Sequence, residues 1–253
     1  MGSKKLFLTL IVAFWLGLLS QSLFAQSNNL ARIYFVKVKP GQGAEFAAAL
    51  NEHVAWRKQA GDPWTWIVHQ VVNGKNLGDY VIRSGGHNWA DFDDYEEFLR
   101  KGAVEFNKTV EPHIKSVSNA ITAGDTVNVN WYENPGDVNL ISVITYQLKP
   151  GHGPAFNQAV NKYHSAIQEN NREAYYAFVW NVNGGSGPSV SLVLPYKNWA
   201  DIQGPDESLR AFMQRVLGEE EAKKLYMDFN GTYTSTESMI LRVRRDLSVL
   251  PDK

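Results

Sequence analysis

The chain has 253 residues, 44% of them hydrophobic, with 25 Lys and Arg against 26 Asp and Glu and no cysteine. A net charge of −1 and a pI near 6.6 leave no basic face for nucleic acid, and no disulfide framework is available. A hydrophobic core must therefore hold one large domain or two small ones.

Residues 1–25 begin MGSKK, continue through 14 residues of apolar character (LFLTLIVAFWLGLL) and end in a short polar stretch at Ala25. A membrane-spanning helix needs roughly 20 apolar residues. The pattern reads as a secretory signal peptide cleaved after Ala25, with an uncleaved N-terminal anchor as the alternative. The expectation is export, to the periplasm or the medium, without stable membrane insertion after cleavage. Asn107 and Asn230 head glycosylation sequons, meaningful only in a eukaryotic secretory pathway.

Residues 31–38 (ARIYFVKV) are β-branched and aromatic, as strands are, and run into the turn Lys39-Pro40-Gly41. A helix follows, with Phe46, Leu50, His53 and Arg57 on one stripe. WTWIVHQVV (64–72) reads as a second strand, Asn73-Gly74 as a hairpin break and DYVIR (79–83) as a third strand. Asn88-Trp89-Ala90-Asp91 opens a second helical region, and TVNVNW (126–131) closes the unit. After a linker at 132–139 the series starts again. LISVITYQL (140–148) leads to a helix with Phe156, Val160, Tyr163 and Ile167 on its stripe. AYYAFVWNV (174–182), SVSLVL (189–194), Asn198-Trp199-Ala200-Asp201 and SMILRVR (238–244) complete it, leaving 245–253 as a tail.

The two series are one unit repeated at an offset of 110. Across 39–92 and 149–202 no gap is needed and 14 of 54 positions are identical, where chance gives roughly three or four. A constant period marks a duplicated structural unit. The units are bounded at 31–131 and 140–244, each in the order β-α-β-β-α-β, the ferredoxin-like arrangement. In the recurring Asn-Trp-Ala-Asp, Asn suits an N-cap and Asp three residues later reaches back to the cap amide. Trp89 and Trp199 at the first helical position are expected to cover the sheet edge. A calcium loop is excluded by the missing Asp-x-Asp-x-Asp-Gly pattern.

A strand, Lys-Pro-Gly, a helix with Phe five residues after the Gly, and the remaining β-β-α-β resemble the dimeric α/β-barrel superfamily. That group includes antibiotic-biosynthesis-type monooxygenases, haem-degrading enzymes, chlorite dismutase-like proteins, muconolactone isomerases and stress-responsive barrel proteins. The resemblance implies an α+β fold in which two tandem ferredoxin-like (βαββαβ) units pack sheet to sheet as a single-chain dimeric α/β barrel. Some relatives hold haem through a His in the second helical region, where His113 is the only histidine nearby. Cofactor-free oxygenases of the group use Asn, Trp and His-type residues around an aromatic substrate.

By strand alternation, Tyr34, Val36, Val38, Ile144, Tyr146, Leu148, Val190, Leu192 and Leu194 are expected to meet the helices. The lumen then receives Ile33, Phe35, Lys37, Asp79, Val81, Arg83, Asn128, Asn130, Thr145, Gln147, Ser189 and Ser191, with Arg242 and Arg244 joining. Buried cations need partners, so a small anionic or aromatic molecule between the sheets is the leading expectation. Its expected contacts are Arg83, Lys37, Asp79, Trp66, Phe35 and His69. His53 is expected to be a hydrogen-bonded core residue, and His87, His113, His152 and His164 to be solvated. No His-Glu-x-x-His, Walker loop or Gly-x-Ser-x-Gly occurs, so no metal, cofactor or catalytic residue is assigned. The alternatives are a cofactor-free oxygenase or haem-handling enzyme, and a structural or assembly protein with a closed core. Oligomeric state is left open.

Overall fold

The computed structural model describes residues 28–250, so the expected signal peptide lies outside the described residues. The first unit contains β1 (Leu30–Val38), α1 (Gly43–Gln59), β2 (Ile67–Asn73), β3 (Tyr80–His87), α2 (Trp89–Asp94), α3 (Glu96–Thr109) and β4 (Ile114–Asn130). The second contains β5 (Leu140–Leu148), α4 (Gly153–Glu169), β6 (Tyr176–Asn183), β7 (Ser189–Tyr196), α5 (Leu209–Leu217), α6 (Glu219–Asn230) and β8 (Tyr233–Val243). The strands close into a barrel in the order β1-β3-β2-β8-β5-β7-β6-β4. Among the described residues no helix is long and apolar enough to cross a membrane.

The duplication extends to residue register. Val36 opposite Tyr80 and Ile67 opposite Arg83 become Tyr146 opposite Val190 and Ala177 opposite Val193. The seams between units obey the same relation: His69 opposite Val243 on one side matches Val179 opposite Gly124 on the other. The units are therefore related by a pseudo-twofold.

Alternation sorts the faces as expected for most strands. Val36, Val68, Tyr80 and Ile82 pack outward against Phe46, Leu50 and Val54 of α1. Tyr146, Phe178 and Val190 pack outward against Phe156, Val160 and Ile167 of α4. Inside, Val71, Val81 and Leu241 form a small buried cluster with Ile33, Ile141, Val143 and Met239.

Four expected lumen residues point elsewhere. The β4 register shifts between Gly124 and Val129, which reverses the parity of the residues beyond it. Asn128 consequently faces α4, donating to Asn161 Oδ1 at 2.7 Å and to Asp125, while Asn130 donates to the Ala174 carbonyl. On β8, Met239 and Leu241 take the inward positions, so Arg242 is exposed outside. Arg244 bonds Asp246, Gln70 and the outward Tyr80 hydroxyl. β4 and β8 also begin earlier than expected, at Ile114 and Tyr233. Their first halves pair only with β1 or β5, so polar stretches such as Thr234–Ser238 remain exposed.

Both recurring motifs are architectural. Gly41 and Gly151 share φ 79, a conformation glycine adopts without steric cost. The preceding Lys39 and Lys149 donate Nζ to the Pro112 and Gly231 carbonyls, at 2.6 and 2.7 Å. Asn88 Oδ1 accepts from the Ala90 and Asp91 amides while Asp91 accepts from the Asn88 amide, a complete capping box. Asn198 and Asp201 repeat these bonds. There they cap only the 3₁₀ turn Ala200–Gln203, which stops at Gly204 with φ 70. Trp89 and Trp199 do not cover the sheet; they are 50% and 49% exposed.

The expected tail is part of the first unit. Leu247 and Val249 are buried in that unit's core, Ser248 Oγ accepts from the Val68 amide at 2.9 Å, and Val249 exchanges two backbone bonds with Trp66. The caps yield a test. Asn88→Ala should cost about 0.5–2 kcal/mol in urea unfolding, and Asn198→Ala measurably less, because it caps a single turn. Equal losses would contradict this ranking.

Candidate functional site

A cavity of about 1100 Å³ lies between the outward face of the second sheet, helices α4–α6 and the segment around 197–208. Phe178, Leu192 and Leu194 supply its sheet wall, Val160, Tyr163, His164 and Ile167 its α4 wall, and Tyr226 and Phe229 its α6 wall. It lies outside the barrel, not between the sheets where sequence alternation placed the ligand.

The same interlayer space in the first unit is filled. Trp64 is sandwiched between His87 and Tyr95, with ring centroids 3.7 and 3.8 Å away. The Arg57 guanidinium lies 3.5 Å from the centroid of Trp66, bonds the Tyr95 hydroxyl and pairs with buried Asp62. At the 110 offset, Trp64 becomes Ala174, Arg57 becomes Ile167, Trp56 becomes Ala166 and Asp62 becomes Arg172. Two indoles and a guanidinium are thus replaced by two methyls and a butyl group on one duplicated frame. Removing such bulk from a close-packed interior leaves space.

Seven tyrosines line this space: Tyr132, Tyr146, Tyr163, Tyr175, Tyr176, Tyr196 and Tyr226. Burial pushes the Tyr146 and Tyr163 hydroxyls up to about 12, so at neutral pH they stay protonated. His164 Nδ1 lies 2.8 Å from the Tyr176 hydroxyl; the sequence expectation of a solvated His164 is corrected, because its ring is half-buried in the cavity wall. Arg172 and Arg215 both grip Glu207, which ties down the rim segment preceding α5. Arg210, Lys197 and Lys223 add cations to the lining and Glu173 and Asp201 add acids.

The six residues expected to contact ligand do not converge. Arg83 and His69 both face the lumen, since Arg83 pairs with Ile33 and Ile67, and His69 with Val81. Phe35, also opposite Val81, is 40% exposed. Lys37 is exposed, and Asp79 accepts from the Val38 amide at 3.2 Å; each lies about 13 Å along the strands from the Arg83 row at the usual strand rise. Trp66 is corrected outright. It lies behind the sheet in the α1 core, against Arg57, Tyr34 and His53.

Two other histidines depart from expectation. His87 is buried rather than solvated: Gly86, with φ 87, falls at a register shift and turns the imidazole onto Trp64, with Nε2 2.8 Å from Ser84 Oγ. His53 is buried but not hydrogen-bonded; both ring nitrogens lack partners among Trp56, Trp66 and Phe106. His113 bonds Gln42 in the first unit, away from the large cavity.

Burial lowers His53 and His69 to about 4, with Arg57 and Arg83 respectively adding to the effect; for His69 the bond to the Val81 carbonyl opposes it. In the unfolded chain these imidazoles protonate near 6.5. The unfolded state therefore binds more protons between 6.5 and 4, and stability is lost as pH falls through that window. The loss by pH 4 is on the order of 3 kcal/mol per histidine. Denaturant unfolding from pH 7 to 4 should show this acid limb, and His69→Val, the residue at the repeat position (Val179), should remove about half of it, leaving the part due to His53. An unchanged limb in that variant would refute the assignment to His69.

No protein-family profile and no curated protein matches the sequence. Solved structures do match it. A monooxygenase candidate from Lactobacillus acidophilus NCFM shares 12% identity and a TM-score of 0.54 over 88% of this chain and 96% of that one. An anthrone oxidase-like protein shares 11% and 0.54 over 87% and 93%. A mutant chlorite dismutase from Candidatus Nitrospira defluvii, in complex with cyanide, shares 9% and 0.56 over 90% and 95%. At these identities the likeness is one of fold. The chain has the dimeric α/β-barrel fold, with both ferredoxin-like units supplied by a single polypeptide.

Proposed function

We propose that the chain binds a planar, hydroxylated aromatic molecule in the cavity of its second unit and oxidises it with dioxygen. The observation that carries this reading is the tyrosine-lined space of about 1100 Å³, opened where Trp64 and Arg57 of the first unit become Ala174 and Ile167. Aromatic walls favour flat aromatic ligands through offset stacking and edge contacts, and protonated phenols at Tyr146 and Tyr163 offer hydrogen-bond donors. In the tautomer whose Nδ1–H donates to the Tyr176 oxygen, His164 keeps an unprotonated Nε2 to take a proton from a substrate hydroxyl, as a general base does. Deprotonation makes the ring a better electron donor to dioxygen; when a ring CH2 becomes a carbonyl, one oxygen atom stays on the carbon and the other leaves as water with the two hydrogens. The oxidase and monooxygenase descriptions of fold neighbours support the reaction class by analogy of fold alone.

Haem held through the second helical region does not fit this cavity. α5 and α6 contain no histidine, and His164 is the one imidazole in the lining, on the first helix of its unit. The N-terminal pattern makes export part of the proposal; N-terminal sequencing of the secreted or periplasmic protein should begin at Gln26.

Titration with a hydroxyanthrone, followed by quenching of intrinsic fluorescence and by oxygen uptake, tests the reading. Ala174→Trp restores the first unit's plug and should weaken binding at least about tenfold, roughly 1.4 kcal/mol. His164→Ala should keep binding and lose oxygen uptake. Undiminished binding by Ala174→Trp, or a haem absorption band in the purified protein, would overturn the proposal.

A further inference from the structure

The lumen contains a cation that the aromatic cavity leaves unexplained. Arg83 sits in a cross-strand row with Ile67, Ile33 and Ala120, all aliphatic, and the next row carries His69, Val81 and Phe35. Among the described residues Arg83 has no hydrogen bond and no ion pair. Its repeat counterpart is Val193, in a row with Ala177, Val143 and Met239, so the fold does not require a charge at this position.

The guanidinium is nevertheless seated in a defined place. It folds back over Gly85, so closely that a Cβ there would stand 2.5 Å from both terminal nitrogens. Gly85 has no left-handed φ to explain it, so the close approach is what the missing side chain serves. Ile33, Ile67 and Arg83 retain accessible surface although they face inward. The inward cluster of Val71, Val81 and Leu241 therefore does not close over this row completely. Burial depresses the Arg83 guanidinium from its ordinary value, yet arginine stays charged in proteins. A partly enclosed cation with no protein partner calls for water or an anion to compensate it. The acids that alternation brought inward do not serve: Asp79 is held by the Val38 amide, about 13 Å along the strand, and Glu237 is exposed.

We propose that Arg83 is the anchor of a second ligand site, inside the barrel, for a small carboxylate with an apolar body. The guanidinium fork matches a carboxylate in two parallel bonds, while Ile33, Ile67 and Val81 offer apolar surface to the remainder. A strongly hydrated inorganic anion gains nothing from that surface. Neutral His69 adds a polar group without competing charge. The site is separate from the tyrosine-lined cavity and does not depend on the oxidation proposed there.

Calorimetry and thermal unfolding with benzoate and with inorganic phosphate, at constant ionic strength, test it on the whole protein. Benzoate should bind saturably and raise the melting temperature. Arg83→Met should weaken benzoate binding about tenfold or more, the usual effect of losing a charge-assisted bond, and should melt higher than the native protein without ligand. Gly85→Ala, which displaces the guanidinium while keeping its charge, should also weaken binding. Ala174→Trp should bind benzoate unchanged. The proposal is overturned if benzoate shows no saturable binding, or if phosphate binds more tightly than benzoate. It also fails if Arg83→Met and Gly85→Ala bind as the native protein does. Loss of benzoate binding in Ala174→Trp would move the carboxylate to the aromatic cavity and remove the lumen site. If Arg83→Met does not fold, undiminished binding by Gly85→Ala refutes the proposal alone.

Discussion

Each four-stranded sheet is completed by a strand of the other unit: β2 pairs with β8 and β6 with β4. A ferredoxin-like unit alone exposes two strand edges and one apolar sheet face, both of which invite association. Closing the barrel removes edges over the paired lengths and shields the inward cluster of Val71, Val81 and Leu241. Because both seams are generated by one pseudo-twofold, the register of one unit fixes that of its partner. The placement of His69 and Arg83 inside, and of the aromatic cavity outside, follows from that register.

Fusion of the halves releases a constraint that two identical protomers would obey. Identical chains must carry the same residue at equivalent positions, so a cavity in one is a cavity in both. Here Trp64 and Ala174, or Arg57 and Ile167, occupy equivalent positions with opposite consequences. In the first unit the Arg57–Asp62 pair and the Trp64 sandwich occupy this layer, leaving only a smaller pocket of about 370 Å³ beside Trp64 and His87. The second is hollow in the same layer. One half supplies rigidity while the other supplies space. The lumen divides in the same manner, with Arg83 and His69 opposed in the repeat by Val193 and Val179.

The order of elements along the chain, the repeat and the outward core were legible in the sequence because each rests on a local signal. β-branched alternation marks strands, Lys-Pro-Gly marks the turn, and the constant offset carries one unit onto the other. The expectations that failed depended on single-residue parity. One register shift in β4 turned Asn128 and Asn130 away from the lumen, and Gly86 brought His87 into the core. A one-residue slip exchanges faces, and strict alternation passed over the strand glycines, Gly124 and Gly86, at which these shifts occur. The cavity was written in the sequence as differences rather than similarities: the helix stripes match at Phe46 and Phe156 but diverge at Arg57 and Ile167. Only the packing of Trp64 and Trp66 against those helices shows that the divergence vacates a volume.

The segment at 247–249, a 3₁₀ turn followed by a single bridge to Trp66, has a bearing on how the chain reaches its native state. Val249 hydrogen-bonds to Trp66, and Leu247 packs into the α1 core, so the first unit contains residues that emerge from the ribosome long after its own last strand. Vectorial synthesis favours domains that fold as they appear. This one must wait, holding an incomplete core through the synthesis of its twin, with apolar surface exposed meanwhile. Proteolytic clipping near Leu247 would accordingly loosen the half of the molecule farthest away in sequence.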